Sequence, residues 1–112
     1  MLAKKNRVQK EKFPAILKGG AFFHSPNFTL RSLPSPVKGE NRFSAVVSKK
    51  VASLAVKRNY LRRKVYGILE KHIGAVSRPH TTLIFLKNDL SSLSTQDIIV
   101  EIETLLKKAH IV

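Results

Sequence analysis

Arg58, Asn59, Arg62, Arg63 and Tyr66, with Lys49 and Lys50 just ahead of them, carry the chemistry that this sequence offers. A guanidinium group is always charged and presents a planar fork of N–H donors that matches two phosphate oxygens at once. Asn59 adds a neutral group that both donates and accepts, suited to a phosphate, a sugar hydroxyl or a base edge. Between Arg42 and Leu69 there are eight Lys or Arg residues and no Asp or Glu. A solvated helix usually interleaves its signs, because like charges three or four residues apart repel and opposite ones attract. This stretch keeps its repulsion, which makes sense on a surface that a polyanion neutralises.

Catalytic chemistry is poorly provided for. The chain has four histidines (24, 72, 80 and 110), no cysteine, and seven carboxylates that are scattered or gathered near the C-terminus. No H-x-x-x-H pair, carboxylate pair or glycine-rich phosphate loop is present. His72 reads as a core-edge residue and His80 as a loop residue. The expectation is therefore no catalytic residue, no metal site and no cofactor bound by the chain itself.

The elements that must position the basic residues follow from periodicity. From Leu54, the positions Leu54, Leu61, Val65, Ile68, Leu69 and His72 fall on one face of a helix running to about His72, with Ser53 as its N-cap. At about 100° per residue, Asn59, Arg62, Arg63 and Tyr66 share a flank beside that face, and Arg58 stands at its edge. Gly67 inside this helix implies close packing or a frayed last turn. An apolar strand, Arg42 to Ser48, leads into it.

Upstream, a short basic helix is expected from about Gln9 to Lys18 and ends at Gly19-Gly20. Ala21 to Phe23 is a short strand or extended piece, His24 to Asn27 is a turn, and Phe28 to Leu33 is a strand whose alternation slips at its end. Residues 34–41 form a Pro- and Gly-punctuated loop. Downstream come a loop around Gly74 and Pro79, a strand from Thr81 to Leu86, and a helix capped by Ser94 or Thr95 and running through Ala109. Its buried stripe is Ile98, Ile99, Ile102, Leu105 and Leu106. The order α-β-β-β-α-β-α describes an α+β sandwich with helices against a four-stranded sheet.

At 112 residues the chain is read as a single domain, 1–112, with residues 1–8 as a flexible basic tail. Its 21 Lys and Arg against 7 Asp and Glu give a net charge of +14, which points to nucleic acid or an anionic membrane surface. No apolar run reaches the length of a membrane span and no signal peptide is evident, so spanning and secreted readings are set aside. The lack of cysteine fits the reducing cytoplasm, the expected location.

The run Ser48-Lys49-Lys50-Val51, a turn of small residues, Ala55-Val56 and then Arg58-Asn59-x-x-Arg62-Arg63 closely resembles the signature of the protein subunit of bacterial ribonuclease P. Phe13 on the basic N-terminal helix, Leu17 and Gly20 at the spacing that the family fills with Phe and Gly, and Arg42-Phe43 leading into the strand before Ser48-Lys49-Lys50 extend the resemblance over most of the chain. The sequence departs from the pattern in a slightly longer turn before the helix, and in Tyr60 and Tyr66 where the family carries basic residues. Arg31 takes the place of a family aromatic.

The resemblance implies the same element order, with a left-handed strand–helix–strand crossover. It implies an accessory subunit of an endoribonuclease whose RNA carries out Mg²⁺-dependent hydrolysis at the tRNA 5′ end. The partners implied are ribonuclease P RNA, held one to one through Lys49, Lys50, Arg58, Asn59, Arg62, Arg63 and Tyr66, and precursor tRNA. The 5′ leader of that precursor would lie in a cleft formed by Phe13, Leu17, Thr29 and Arg31. Phe13 is open to a second use, as a core residue closing the sheet. Three rivals remain on charge and size alone. They are a small ribosomal protein, a protein nuclease acting without RNA, and a membrane-surface peptide, the last disfavoured because the helix needs its apolar stripe for the domain.

Overall fold

Strict alternation along residues 28–34 sets the sheet. In the computed structural model, which describes residues 21–34, 41–72 and 80–109, these residues form strand β2 (Phe28–Pro34). The other strands are β1 (Ala21–His24), β3 (Asn41–Val46) and β4 (His80–Leu86); the helices are α1 (Ala55–His72) and α2 (Thr95–Lys108). The sheet order is β1-β2-β4-β3, antiparallel except for the parallel pair β3 and β4, which α1 connects. This is the expected α+β arrangement. The proposed first helix, the tail 1–8, Phe13 and Leu17 lie outside the described residues.

One face of the sheet carries the core. Phe28 and Leu30 of β2, Phe43 and Ala45 of β3, and Ile84 and Leu86 of β4 meet Leu61, Val65, Ile68 and Leu69 of α1. Ile98, Ile102, Leu105 and Leu106 of α2 join the same cluster, so both helices lie on that face. His72 at the end of α1 has Nδ1 2.9 Å from the Ile68 carbonyl and Nε2 3.3 Å from Glu103 of α2, tying the helices together. Ser94 is the cap of α2: its hydroxyl accepts from the Asp97 N–H at 3.1 Å.

Three local expectations change. The alternation of β2 does not slip, because Ser32 turns inward, buried, and its hydroxyl bonds that of its register partner Thr82 at 3.3 Å. A paired hydroxyl can occupy a core position, and Leu33 then packs on the opposite face with Leu83 and Phe85. His80 is a buried residue that begins β4, not a loop residue. At the start of α1, the Leu54 carbonyl accepts the first helical bond from Arg58 at 3.1 Å, so Leu54 rather than Ser53 holds the cap position. Leu54 is accordingly 69% exposed and no part of the apolar stripe.

Gly67 is also not a site of close packing. A Cβ placed there would meet nothing within 4 Å, and α1 continues past it to His72. Gly67→Ala is therefore expected to stabilise the domain by about 1 kcal/mol, the helix-propensity difference. Urea denaturation with an unchanged m-value checks it.

Candidate nucleic-acid interface

The two helices treat charge in opposite ways. Helix α2 places Asp97 in its first turn and Lys107 and Lys108 in its last, as the helix dipole favours. Helix α1 has no acidic residue in its first turn and puts Lys57 and Arg58 there, adding positive side chains to an already positive helix end. That arrangement concentrates an anion-attracting field at the start of α1. Lys49 and Lys50 are exposed on the turn just before it, where the Ser48 carbonyl accepts from the Val51 (3.1 Å) and Ala52 (3.2 Å) N–H groups.

The basic residues of α1 divide by task. Arg58 is half-buried and its Nη1 donates to the carbonyls of Ala52 (2.9 Å) and Ser53 (2.8 Å), clamping the turn to the helix. Arg62 and Arg63 are exposed, one turn further on. Arg62 Nη2 donates to Asn59 Oδ1, which steadies the guanidinium and leaves the rest of its fork facing outward. Tyr66 is half-buried, and its hydroxyl accepts from the Ala45 N–H at 3.2 Å and lies 3.4 Å from the Ser44 hydroxyl. Strand β3 is an edge of the sheet, so Tyr66 satisfies an edge N–H and fixes the rotation of α1 about its axis. The flank that carries Asn59, Arg62 and Arg63 is thereby aimed.

The structure adds a second basic flank that the arginine-centred pattern of the sequence did not single out. Lys57, Tyr60 and Lys64 lie on the other side of the apolar stripe, facing the loop between β4 and α2. Lys57 Nζ is 3.2 Å from Asp89 Oδ2. The Asp89 carboxyl is lowered to about 2, chiefly by the Ser91 hydroxyl and amide that donate to it, then by Lys57. The signal for this flank is the seven-residue spacing of Lys57 and Lys64, two helical turns apart on one side of α1.

The sheet face away from the helices forms another surface. In the β1–β2 register, Phe22 stands opposite Arg31 and His24 opposite Thr29. The Arg31 guanidinium lies 5.1 Å from the centre of the Phe22 ring, and His24 meets that ring edge-on at 4.9 Å. His24 Nδ1 is 3.2 Å from the Thr29 hydroxyl. The sheet thus brings Thr29 and Arg31 together with an aromatic, but that aromatic is Phe22, 52% exposed. Alternation in β1 puts Phe22 and His24 on one face; only the register reveals which face.

Glu101 of α2 fixes the turn that carries this surface. Its carboxylate accepts from the Ser25 hydroxyl, from the Asn27 N–H (2.8 Å) and from Asn27 Nδ2 (2.8 Å). Lys87 Nζ donates to the Ser25 carbonyl at 2.8 Å. Both glutamates of α2 thus serve contacts within the fold, Glu101 at this turn and Glu103 at His72, and the flank of α1 carries no acidic residue until Glu70, near its C-terminal end.

The three described histidines sit in three separate surroundings: a strand end, a helix end and a buried strand start. Among the described residues no group of three His, Asp or Glu could hold a metal ion, and no helix is long and apolar enough to cross a membrane.

Comparison with known proteins places these surfaces in context. The family model described as Ribonuclease P matches residues 2–110. The ribonuclease P protein component of Synechococcus elongatus is 34% identical over 108 residues, covering 93% of this chain and 88% of its own length. That of Shouchella clausii is 27% identical over 111 residues, covering 98% and 90%. Among solved structures, the Staphylococcus aureus ribonuclease P protein superposes with a TM-score of 0.84 at 22% identity, over 96% of this chain and 98% of that one. The Thermotoga maritima protein gives 0.81 at 21%, over 91% and 96%. A basic flank aimed by a β-edge tether, on a fold shared with these proteins, accompanies a family match over nearly the whole sequence: the chain belongs to the ribonuclease P protein family.

Proposed function

We propose that this chain is the RNA-binding, non-catalytic subunit of its ribonuclease P, holding the RNA subunit with α1 and the precursor's leader with the opposite face of the sheet. As a member of its family it takes part in an endoribonuclease complex with ribonuclease P RNA and precursor tRNA. The observation that carries the finer reading is the charge of α1 and its approach: Lys49, Lys50, Asn59, Arg62 and Arg63 all face solvent with no acidic residue among them. Arg58 and Tyr66 serve the same surface from within, by fixing the turn and the helix rotation.

Hydrolysis of the phosphodiester is then assigned to the RNA, with Mg²⁺ held by the RNA rather than by this chain. The protein's own contribution is to neutralise phosphate repulsion between two RNAs and so raise affinity for the precursor. One copy per RNA, acting in the cytoplasm, completes the proposal. On the sheet face, Phe22 offers a ring for a leader base while Arg31 and His24 provide charge and hydrogen bonding beside it. Phe13 and Leu17 remain part of the proposed leader cleft on the resemblance alone.

Two measurements test this. RNA-free protein should leave precursor tRNA intact with Mg²⁺ present, and addition of a bacterial ribonuclease P RNA should give cleavage at lower Mg²⁺ than that RNA needs alone. Turnover by the RNA-free protein would overturn the assignment. In the reconstituted complex, Phe22→Ala should weaken binding of precursor tRNA by about fivefold or more, the low end for removal of one base stack, and leave mature tRNA unchanged. Equal weakening for both RNAs would remove Phe22 from the leader site. Because Phe22 is largely exposed, the melting temperature should hold.

A further inference from the structure

The second flank of α1 borders a hollow of about 220 Å³, lined by Lys57, Tyr60, Leu61 and Lys64 of the helix and by Asp89, Leu90 and Leu93 of the loop before α2. Tyr60 is 58% exposed at its mouth, and the Lys64 ammonium lies 5.9 Å from the ring centre. On the loop side, Leu90 adopts a left-handed backbone (φ 61°) although it is not glycine, and its side chain is buried. Its N–H is held by Asn88 Oδ1 at 2.8 Å, and the Ser91 N–H (3.1 Å) and hydroxyl (2.7 Å) donate to Asp89 Oδ1. The wall opposite Tyr60 is thus a built turn that holds its shape and keeps a carboxylate at the rim.

We propose that this hollow seats one unpaired nucleobase of the partner RNA, with Tyr60 as the stacking surface and Lys57 and Lys64 taking the phosphates on either side. The proposal rests on the RNA-binding reading of α1 and deepens it. An exposed tyrosine between two lysines has the composition of a single-strand stacking platform: an aromatic face for the base, cations for the backbone. The space is the size of a base rather than of a duplex, and the apolar floor of Leu61 and Leu93 suits the second face of a flat ring. Asp89, ionised at neutral pH, accepts from the N–H groups on the base edge, so the seat favours a base that presents donors there. Stacking places the base against the ring, where Lys64 now lies, and moves the ammonium outward onto the phosphate.

The test compares wild-type protein, Tyr60→Phe and Tyr60→Leu in equilibrium binding to a bacterial ribonuclease P RNA, across a salt series, with chemical probing of unpaired bases. Both variants should melt as wild type does, since the side chain is exposed and leucine is a good helix former. Tyr60→Phe should bind as wild type. Tyr60→Leu should bind about fivefold or more weakly with the same salt slope, because every lysine–phosphate pairing is kept. One unpaired base should be protected by wild type and by Tyr60→Phe, and become reactive with Tyr60→Leu. Equal affinities and identical probing for all three proteins would overturn the base seat while leaving the RNA-binding reading intact. Equal weakening by Phe and Leu would also overturn it, by assigning the effect to the phenolic hydroxyl. Failure of wild-type protein to bind the RNA at all would overturn both readings.

Discussion

Helix α1 must stay docked on the sheet while its first three turns expose only positive or neutral groups. Its hold is the stripe Leu61, Val65, Ile68 and Leu69, each at most 6% exposed. Burying one such side chain contributes roughly 1.5–3 kcal/mol, whereas a like-charge pair such as Arg58 and Arg62, four residues apart, costs only about 0.2–0.5 kcal/mol. The stripe wins by a wide margin. The fold can therefore keep a surface charge that is unfavourable for the free protein, a repulsion that bound phosphates would relieve on the proposed function.

Direction comes from polar contacts rather than from the stripe. An apolar stripe alone leaves a helix free to roll, but the bond between Tyr66 and the Ala45 N–H restricts that rotation at one end. The Arg58 clamp on the carbonyls of Ala52 and Ser53 restricts it at the other. Between them, Asn59, Arg62 and Arg63 are displayed along one flank, and Lys57, Tyr60 and Lys64 along the second. On the far face of the sheet the same logic recurs, with Glu101 fixing the turn that carries His24 and Phe22 into place.

The α+β class and the long helix are legible in the sequence because their signals are local: the periodic stripe of α1, the Ser94 cap and the alternation of β2. What escapes is set by partners distant in sequence. Ser32 looks like a break in the alternation until it is paired with Thr82, fifty residues on, across the sheet. Ser53 looks like a cap because its side chain is suited to one, but the reach of Arg58 back to the preceding carbonyls shapes that turn instead. Phe22 carries no signal alone, because a four-residue strand has no face until its register with Arg31 and Thr29 is known. The family is legible in the arginine signature; that Arg58 and Tyr66 make contacts inside the fold is not, because their partners are backbone groups of the preceding turn and of β3.

The central claim is that the charge on the outer flank of α1 is there to be neutralised by RNA phosphates, and the salt dependence of binding measures this directly. Affinity for ribonuclease P RNA should be determined for wild-type protein and for the Arg62→Ala/Arg63→Ala variant over a range of salt concentrations. Arg58 is kept because it holds the turn. The account predicts weaker binding with the fold intact. It also predicts a slope of log affinity against log salt that is shallower by roughly 0.9 for each duplex phosphate no longer neutralised, nearly 2 for the pair. Unchanged affinity together with an unchanged slope would contradict it.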